Sequence, residues 1–187
     1  TTQAIIALTD GYTALENNEE VLQRVYITEN TSPGDAREEL VKADTGSSYG
    51  FIHAIYHPHF TSLRAEMKYY DIVLIDPDGN IVYSVAKRAD FASNLVTGEW
   101  KDTGLGDAFR EAIALGPNDP SVFVDFQRHG PSNQAPAAFI SRPIFNDQGT
   151  LLGVLAYQMP NGKLSSTVNS LEGLGETADG FLVGEDA

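Results

Sequence analysis

Three of the four histidines fall in one stretch, "HAIYHPHF" at 53 to 60, which places His53, His57 and His59 where imidazole nitrogens could gather around a metal. His53 and His57 are four apart and would share a helix face. A structural zinc takes about four N, S or O ligands and a catalytic zinc about three plus water, so three imidazoles make a start. The stretch lacks the Glu that follows the first His in the metalloprotease helix motif, and Pro58 disturbs the alignment of His59. The competing reading is that Tyr56, His57 and Pro58 pack a helix kink against a sheet, and no metal or other cofactor is assigned.

Nucleophilic chemistry is poorly provided for. The chain has no cysteine, which removes disulfides and thiolates, and no Gly-x-Ser-x-Gly turn. "GLGDAF" and "GLGETADG" lack the spacing of phosphate-binding glycine loops. A metal-dependent enzyme is therefore the weakest of the functional classes, and the expectation is a protein that is not an enzyme.

Polar side chains inside apolar strand patterns are more informative. Tyr83 and Lys87 alternate on one run, Asp125 sits in "SVFVDFQ", Ser141 in "AAFISRPIF" and Tyr157 or Gln158 in "TLLGVLAYQM". By alternation Asp125 shares a face with Ser121, Phe123 and Gln127. Small-molecule pockets combine an apolar wall with a few polar groups that fix orientation. In that reading Asp125 accepts a ligand ammonium or hydroxyl and Lys87 or a loop Arg meets a carboxylate, while Tyr70, Tyr83 and Trp100 wall the cavity; Asp90, Ser141 and Tyr157 complete the candidate set. The alternative for Asp125 is an internal partner such as Lys87.

Positioning these groups takes a folded core, and 187 residues at 42% hydrophobic can build one. Ile5, Leu8, Tyr12, Leu15, Leu22 and Val25 predict a long amphipathic helix over residues 1 to about 28, ended by the turn chemistry of "TENTSPGD". "AREELVKA" reads as a short helix. A second helical rhythm runs from Ser48 to Tyr70, with a kink or junction at His57 before Pro58. "DIVLIDPDGNIVYSVAK" is two strands about a Pro-Asp-Gly-Asn turn, and "DTGLGDAFREAIALG" is a capped helix. Strands at 121–127, 137–145 and 150–159 follow, with "NDQG" turning between the last two, and "KLSSTVNSLEGLG" predicts a closing helix. Two strands, a helix and a three-strand meander describe an α/β PAS-like module with a central antiparallel sheet of about five strands flanked by helices.

Charge and hydropathy narrow the partners. With 12 Lys and Arg against 26 Asp and Glu, the net charge is −14 and the cations are scattered. Such a surface repels phosphates, which argues against nucleic acid and anionic lipid. No apolar run approaches the roughly 20 residues of a membrane helix. The opening "TTQAIIALTDGY" has neither a methionine nor a signal-peptide pattern and reads as part of a longer protein, and "ADGFLVGEDA" echoes "YYDIVLIDPDG" as the start of a second module.

The segments "LQRVYITEN", "YHPHF", "KYYDIVLIDPDGNIVYSVAKRADFASNLVTGEWKDTGL", "APAAFISRPIF", "GVLAYQMP" and "GLGETADGFLV" resemble the extracytoplasmic double Cache sensor regions of bacterial transmembrane receptors, especially methyl-accepting chemotaxis proteins. The resemblance implies an N-terminal long helix and connecting loops over 1–47, a membrane-distal sensor module over 48–163, and a helix with the start of a second module over 164–187. It further implies a periplasmic location, a small polar ligand (amino acid, organic acid or amine), a homodimer in the full receptor and a membrane reached only through parts outside this chain. Related regions also serve histidine kinases and nucleotide cyclases, and a spacer or dimerisation module is the non-binding alternative. Two positions depart from the pattern: Arg88 in "KRADF" stands where Glu is expected, and His59 follows "YHP" where a Trp-like residue is expected. The aromatic, Arg and Asp motif of amino-acid-binding Cache domains has no clean match.

Overall fold

A computed structural model describes residues 1–34 and 36–160. Five strands form one antiparallel sheet: β1 (Asp71–Ile75), β2 (Ile81–Ser84), β3 (Val122–His129), β4 (Ala135–Phe145) and β5 (Leu151–Gln158), in the order β2-β1-β5-β4-β3. This is the PAS-like arrangement expected from the sequence. The closing helix and the second-module start lie outside the described residues.

The turns form for local chemical reasons. In the β1–β2 turn Asp76 Oδ1 accepts the backbone N–H groups of Asp78 and Asn80, and its Oδ2 accepts the Asn80 amide. Asn146 plays the same part between β4 and β5, its Oδ1 accepting from Gln148 and Thr150. Gly153 in β5 has φ +142°, and a Cβ there would stand 2.2 Å from the Ile75 carbonyl oxygen, so only glycine lets β5 approach β1 this closely.

Pairing and alternation define two sheet faces. Val122, Val124, Ser141, Phe139, Ala156, Gln158, Val73, Asp71 and Ser84 lie on one. Helix α4 (Gly104–Ile113), capped by Thr103 Oγ1 accepting the Gly106 N–H, packs there: Ser141 Oγ donates to the Ala108 carbonyl at 2.8 Å, and Gly104 approaches the Phe139 ring. The other face carries Leu74, Tyr83, Ile72, Tyr157, Ile140 and Phe123. Helices α1 (Thr2–Thr13) and α3 (Tyr49–Met67) cover its β1–β2 end, where Tyr49 Oη donates to the Val82 carbonyl. Phe123 is left exposed at the far end.

Three helical expectations are corrected. The N-terminal helix is broken: Asn17 takes φ +52°, and α2 (Asn18–Gln23) follows, continuing into a π-helical turn over Arg24–Thr28. Apolar spacing runs on across the break because Ile5, Leu8, Tyr12, Leu15, Leu22 and Val25 all enter one core. "AREELVKA" gives only a 3-10 turn, Arg37–Glu39. Helix α3, by contrast, runs unbroken through Pro58. Pro58 is exposed, so the carbonyl that loses its partner lies on the solvent side, where water can serve it.

Candidate ligand site

The structure gathers buried polar groups on both faces of the sheet, and the sequence-derived candidates divide between them. On the α3 face, His53 and His57 stack at 4.4 Å between ring centroids, with Tyr26 4.6 Å from His53. Both nitrogens of His57 are engaged at 2.6 Å, Nδ1 by Tyr83 Oη and Nε2 by the Glu38 carbonyl, and His53 Nδ1 lies 2.7 Å from the Val41 carbonyl. His59 is exposed. Those commitments leave no converging set of imidazoles, and among the described residues no group of three His, Asp or Glu is placed to hold a metal. His57 does pack the helix against the sheet, through Tyr83, although without a kink.

Lys87 joins this aromatic cluster. Its backbone adopts φ +50° just beyond β2, and its Nζ donates to the Val85 carbonyl at 3.3 Å, lying 5.5 Å from the Tyr26 ring and 6.0 Å from the Tyr83 ring. Burial pushes the ammonium down to about 7, partly opposed by Asp71 and Glu38. Burial, reinforced by Lys87, also lowers His57 to about 4 and His53 well below its usual value. Tyr83 and Lys87 thus share a face, as alternation indicates, but that face lies under helices.

The α4 face carries the other set. Asp71 is fully enclosed by donors: Oδ1 accepts from the backbone of Ile72, Val85 and Ala86, and Oδ2 from Ser84 Oγ at 2.7 Å. Burial nonetheless raises it to about 6. Ser84 Oγ in turn accepts the Lys87 N–H at 2.9 Å, so the carboxylate fixes the bend that leaves β2. The bend delivers Asp90, whose carboxylate is largely buried and among the described residues meets only His129 Nε2, at 3.5 Å. That contact is well beyond the roughly 2.7–2.9 Å of a strong charge-assisted bond. His129 Nδ1 is buried without a partner, and the ring packs edge-on to Phe139 at 5.2 Å. Gln158 Nε2 donates to Ser132 Oγ at 3.2 Å. Trp100 packs against Gly130, the residue after His129, where an added Cβ would stand 2.6 Å from the indole.

Asp90, Trp100, His129, Ser132 and Gln158 therefore form a site between the 88–103 segment and the β3–β4 turn. Backbone strain accompanies it, with positive φ at Ala92, Asn133 and Gln134. Of the sequence candidates, Asp90, Trp100 and Gln158, the alternative to Tyr157, belong here. Ser141 shares the face but is committed to α4. Tyr157 stacks on Tyr69 at 4.5 Å on the opposite face, and Tyr70 lies beneath the Arg88 guanidinium. Asp125 is exposed, its Oδ1 accepting only the next backbone N–H. His129 was not anticipated: a lone histidine in "FQRHG" carries no spacing signal. A separate open cavity of about 470 Å³ lies against Val25, Glu29, Glu39, Leu40 and Asp44 and includes none of these residues.

No protein-family model and no curated protein matches the chain. Similar solved structures are sensor domains of histidine kinases and chemoreceptors. The V. cholerae histidine kinase DctB sensor domain aligns at TM-score 0.48 and 13% identity, over 88% of this chain and 56% of that one. The ligand-binding domain of the Campylobacter jejuni chemoreceptor Tlp3, in complex with L-valine, aligns at 0.46 and 15%, over 90% and 62%. The E. coli DcuS sensor domain aligns at 0.43 and 15%, over 90% and 99%. The chain thus spans less than two thirds of the first two.

Proposed function

We propose that the chain is the extracytoplasmic, periplasmic ligand-sensing module of a bacterial transmembrane signalling receptor, a chemotaxis receptor before a histidine kinase or cyclase, and that it performs no catalysis. The observation that carries this reading is Asp90: a carboxylate whose side chain is 9% exposed and whose one contact among the described residues is long, made to a histidine whose other ring nitrogen is buried without a partner among them. Buried polar groups left this incompletely bonded are costly in a purely structural role and suit a ligand that completes them.

The same segment offers a route to output. Tyr12 Oη of α1 donates to the Ala92 carbonyl at 2.9 Å, and Gln23 Nε2 of α2 to the Phe91 carbonyl at 3.0 Å. A ligand that binds better to one placement of residues 90–93 would bias the helices held by those bonds. Among the described residues no helix is long and apolar enough to cross a membrane. In this proposal the receptor is a homodimer anchored by parts outside this chain, and exposed Ile6, Phe51 and Ile55 are apolar positions that such an assembly would cover.

A thermal-shift screen of amino acids, organic acids and amines tests the reading. A ligand at 100 times its Kd adds about 2.7 kcal/mol, which raises the Tm of a domain this size by about 5–10 °C. The shift should vanish in Asp90→Asn and His129→Gln, with circular dichroism unchanged. No shift with any compound, or an equal shift in both variants, would refute it and favour a spacer or dimerisation module.

A further inference from the structure

The donors and acceptors around Asp90 specify more than a small polar ligand. Asp90 offers carboxylate oxygens whose one partner is 3.5 Å away. His129 Nδ1 is buried with no partner among the described residues, and the residue is only 2% exposed; a neutral ring that donates from Nε2 to Asp90 offers this nitrogen as a second acceptor. Gln158 donates its amide N–H to Ser132, which leaves its carbonyl oxygen as a third. Asp71 adds negative charge nearby, while its own oxygens are already filled.

Cations that would receive a carboxylate are directed elsewhere. Lys87 Nζ lies on the opposite face, among Tyr26 and Tyr83. The Arg88 guanidinium donates to the Gly34 carbonyl and covers Tyr70. Lys101 and Arg128, the sequence neighbours of Trp100 and His129, are exposed. Among the described residues no Lys or Arg side chain makes a hydrogen bond or ion pair with the side chains of the site. What remains is the negative charge of Asp90 and Asp71 among uncharged polar groups, with Trp100 packed on Gly130 and Phe139 on His129, a setting that favours a cation.

We propose that this site takes a cationic amine that carries no carboxylate, its ammonium replacing the long His129 contact on Asp90. The proposal rests on the ligand-site reading above and narrows it: α-amino acids and dicarboxylates would bring an anionic group beside Asp90, where no Lys or Arg of the described residues is placed to neutralise it.

Three four-carbon probes that differ only at their ends test the charge class: 1,4-diaminobutane, 4-aminobutyrate and succinate, with butylamine and benzylamine to vary shape. Calorimetric titration of the intact chain should show one of the amines binding at least about tenfold more tightly than 4-aminobutyrate, with succinate not binding. Asp90→Asn should weaken the amine by at least about tenfold, and the exposed Asp125→Asn should leave it unchanged. Urea unfolding of each variant verifies that it is folded. Binding of 4-aminobutyrate or succinate that is lost in Asp90→Asn would overturn the amine class while keeping the site. Amine binding undiminished in Asp90→Asn would overturn both. No binding by any of the three amines at about 10 mM would overturn the class, whereas a carboxylate ligand found in the wider screen would leave the sensing function standing.

Discussion

Replacing Lys87 by Met should stabilise the protein near neutral pH, and by an amount that shrinks as pH rises. The Nζ is completely buried, with one hydrogen bond to the Val85 carbonyl, and it faces Tyr26, Tyr83, His53 and His57, with Asp71 and Glu38 the nearest compensating charges. Glu38 is itself paired with Arg64. The fall from 10.5 to about 7 corresponds, at about 1.4 kcal/mol per pH unit, to about 5 kcal/mol, which relaxation around the charge reduces to about 2–4 kcal/mol. Below pH 7 the group is charged folded and unfolded, so the whole penalty is present. Between about 7 and 10.5 only the unfolded chain holds the proton, and stability rises with pH by up to about 1.4 kcal/mol per unit. Met keeps the volume and removes the charge. Urea unfolding followed by Trp100 fluorescence from about pH 6.5 to 9.5 isolates this group. In the folded protein His57, at about 4, and Asp71, at about 6, titrate below the window, and the buried tyrosines, all raised, above it; unfolded histidine titrates at its lower edge in both chains alike and cancels from the difference between them. The variant should be about 2–4 kcal/mol more stable at pH 6.5, with the difference closing toward pH 9.5. A less stable variant, or a difference that does not change with pH, would refute the reasoning.

Two further outcomes test the packing on either side of the sheet. His57→Ala removes the partners of Tyr83 Oη and the Glu38 carbonyl and opens a cavity beneath α3, so it should cost about 2–4 kcal/mol in urea unfolding; titration with Zn²⁺ should show no site that the substitution abolishes. Gly130→Ala puts a methyl 2.6 Å from the Trp100 ring, so the indole must move. It should shift the Trp100 emission maximum and cost about 1–3 kcal/mol, and unchanged emission would show that Trp100 does not close against the β3–β4 turn.

Elements were legible in the sequence wherever local chemistry decided them. Pro-Asp-Gly-Asn fixed the β1–β2 hairpin, because Asp76 can bond two turn N–H groups whatever surrounds it. Thr103, Leu105 and Phe109 marked α4 by cap and period. The break at Asn17 was hidden, since apolar residues on both sides feed the same core and periodicity cannot register one left-handed residue. The site was harder for the same reason. Alternation correctly grouped Tyr83 with Lys87 and Asp125 with Phe123, but it does not reveal which face a helix will cover and which will stay open. His129 gains a role only because β3 and β4 turn back and place it beside Asp90.

The two buried polar sets meet at one short piece of chain. Residues 84–87 leave β2 with Ser84 bound to Asp71 on the α4 face and with Lys87 turned to the α3 face, and the next residues carry Asp90. Asp71 opposes the depression of Lys87, so the carboxylate and the ammonium are linked electrostatically as well as through the Lys87 N–H to Ser84 bond. A charge brought to Asp90 therefore acts on a segment with four holds: Asp71 behind it, Lys87 across the sheet, and Tyr12 and Gln23 from the N-terminal helices. A fold that needed only stability would not leave a carboxylate and an ammonium on this segment so poorly paired. A segment that must settle differently with and without a bound cation gains from being held by several marginal contacts, because a modest difference in binding can then shift its position.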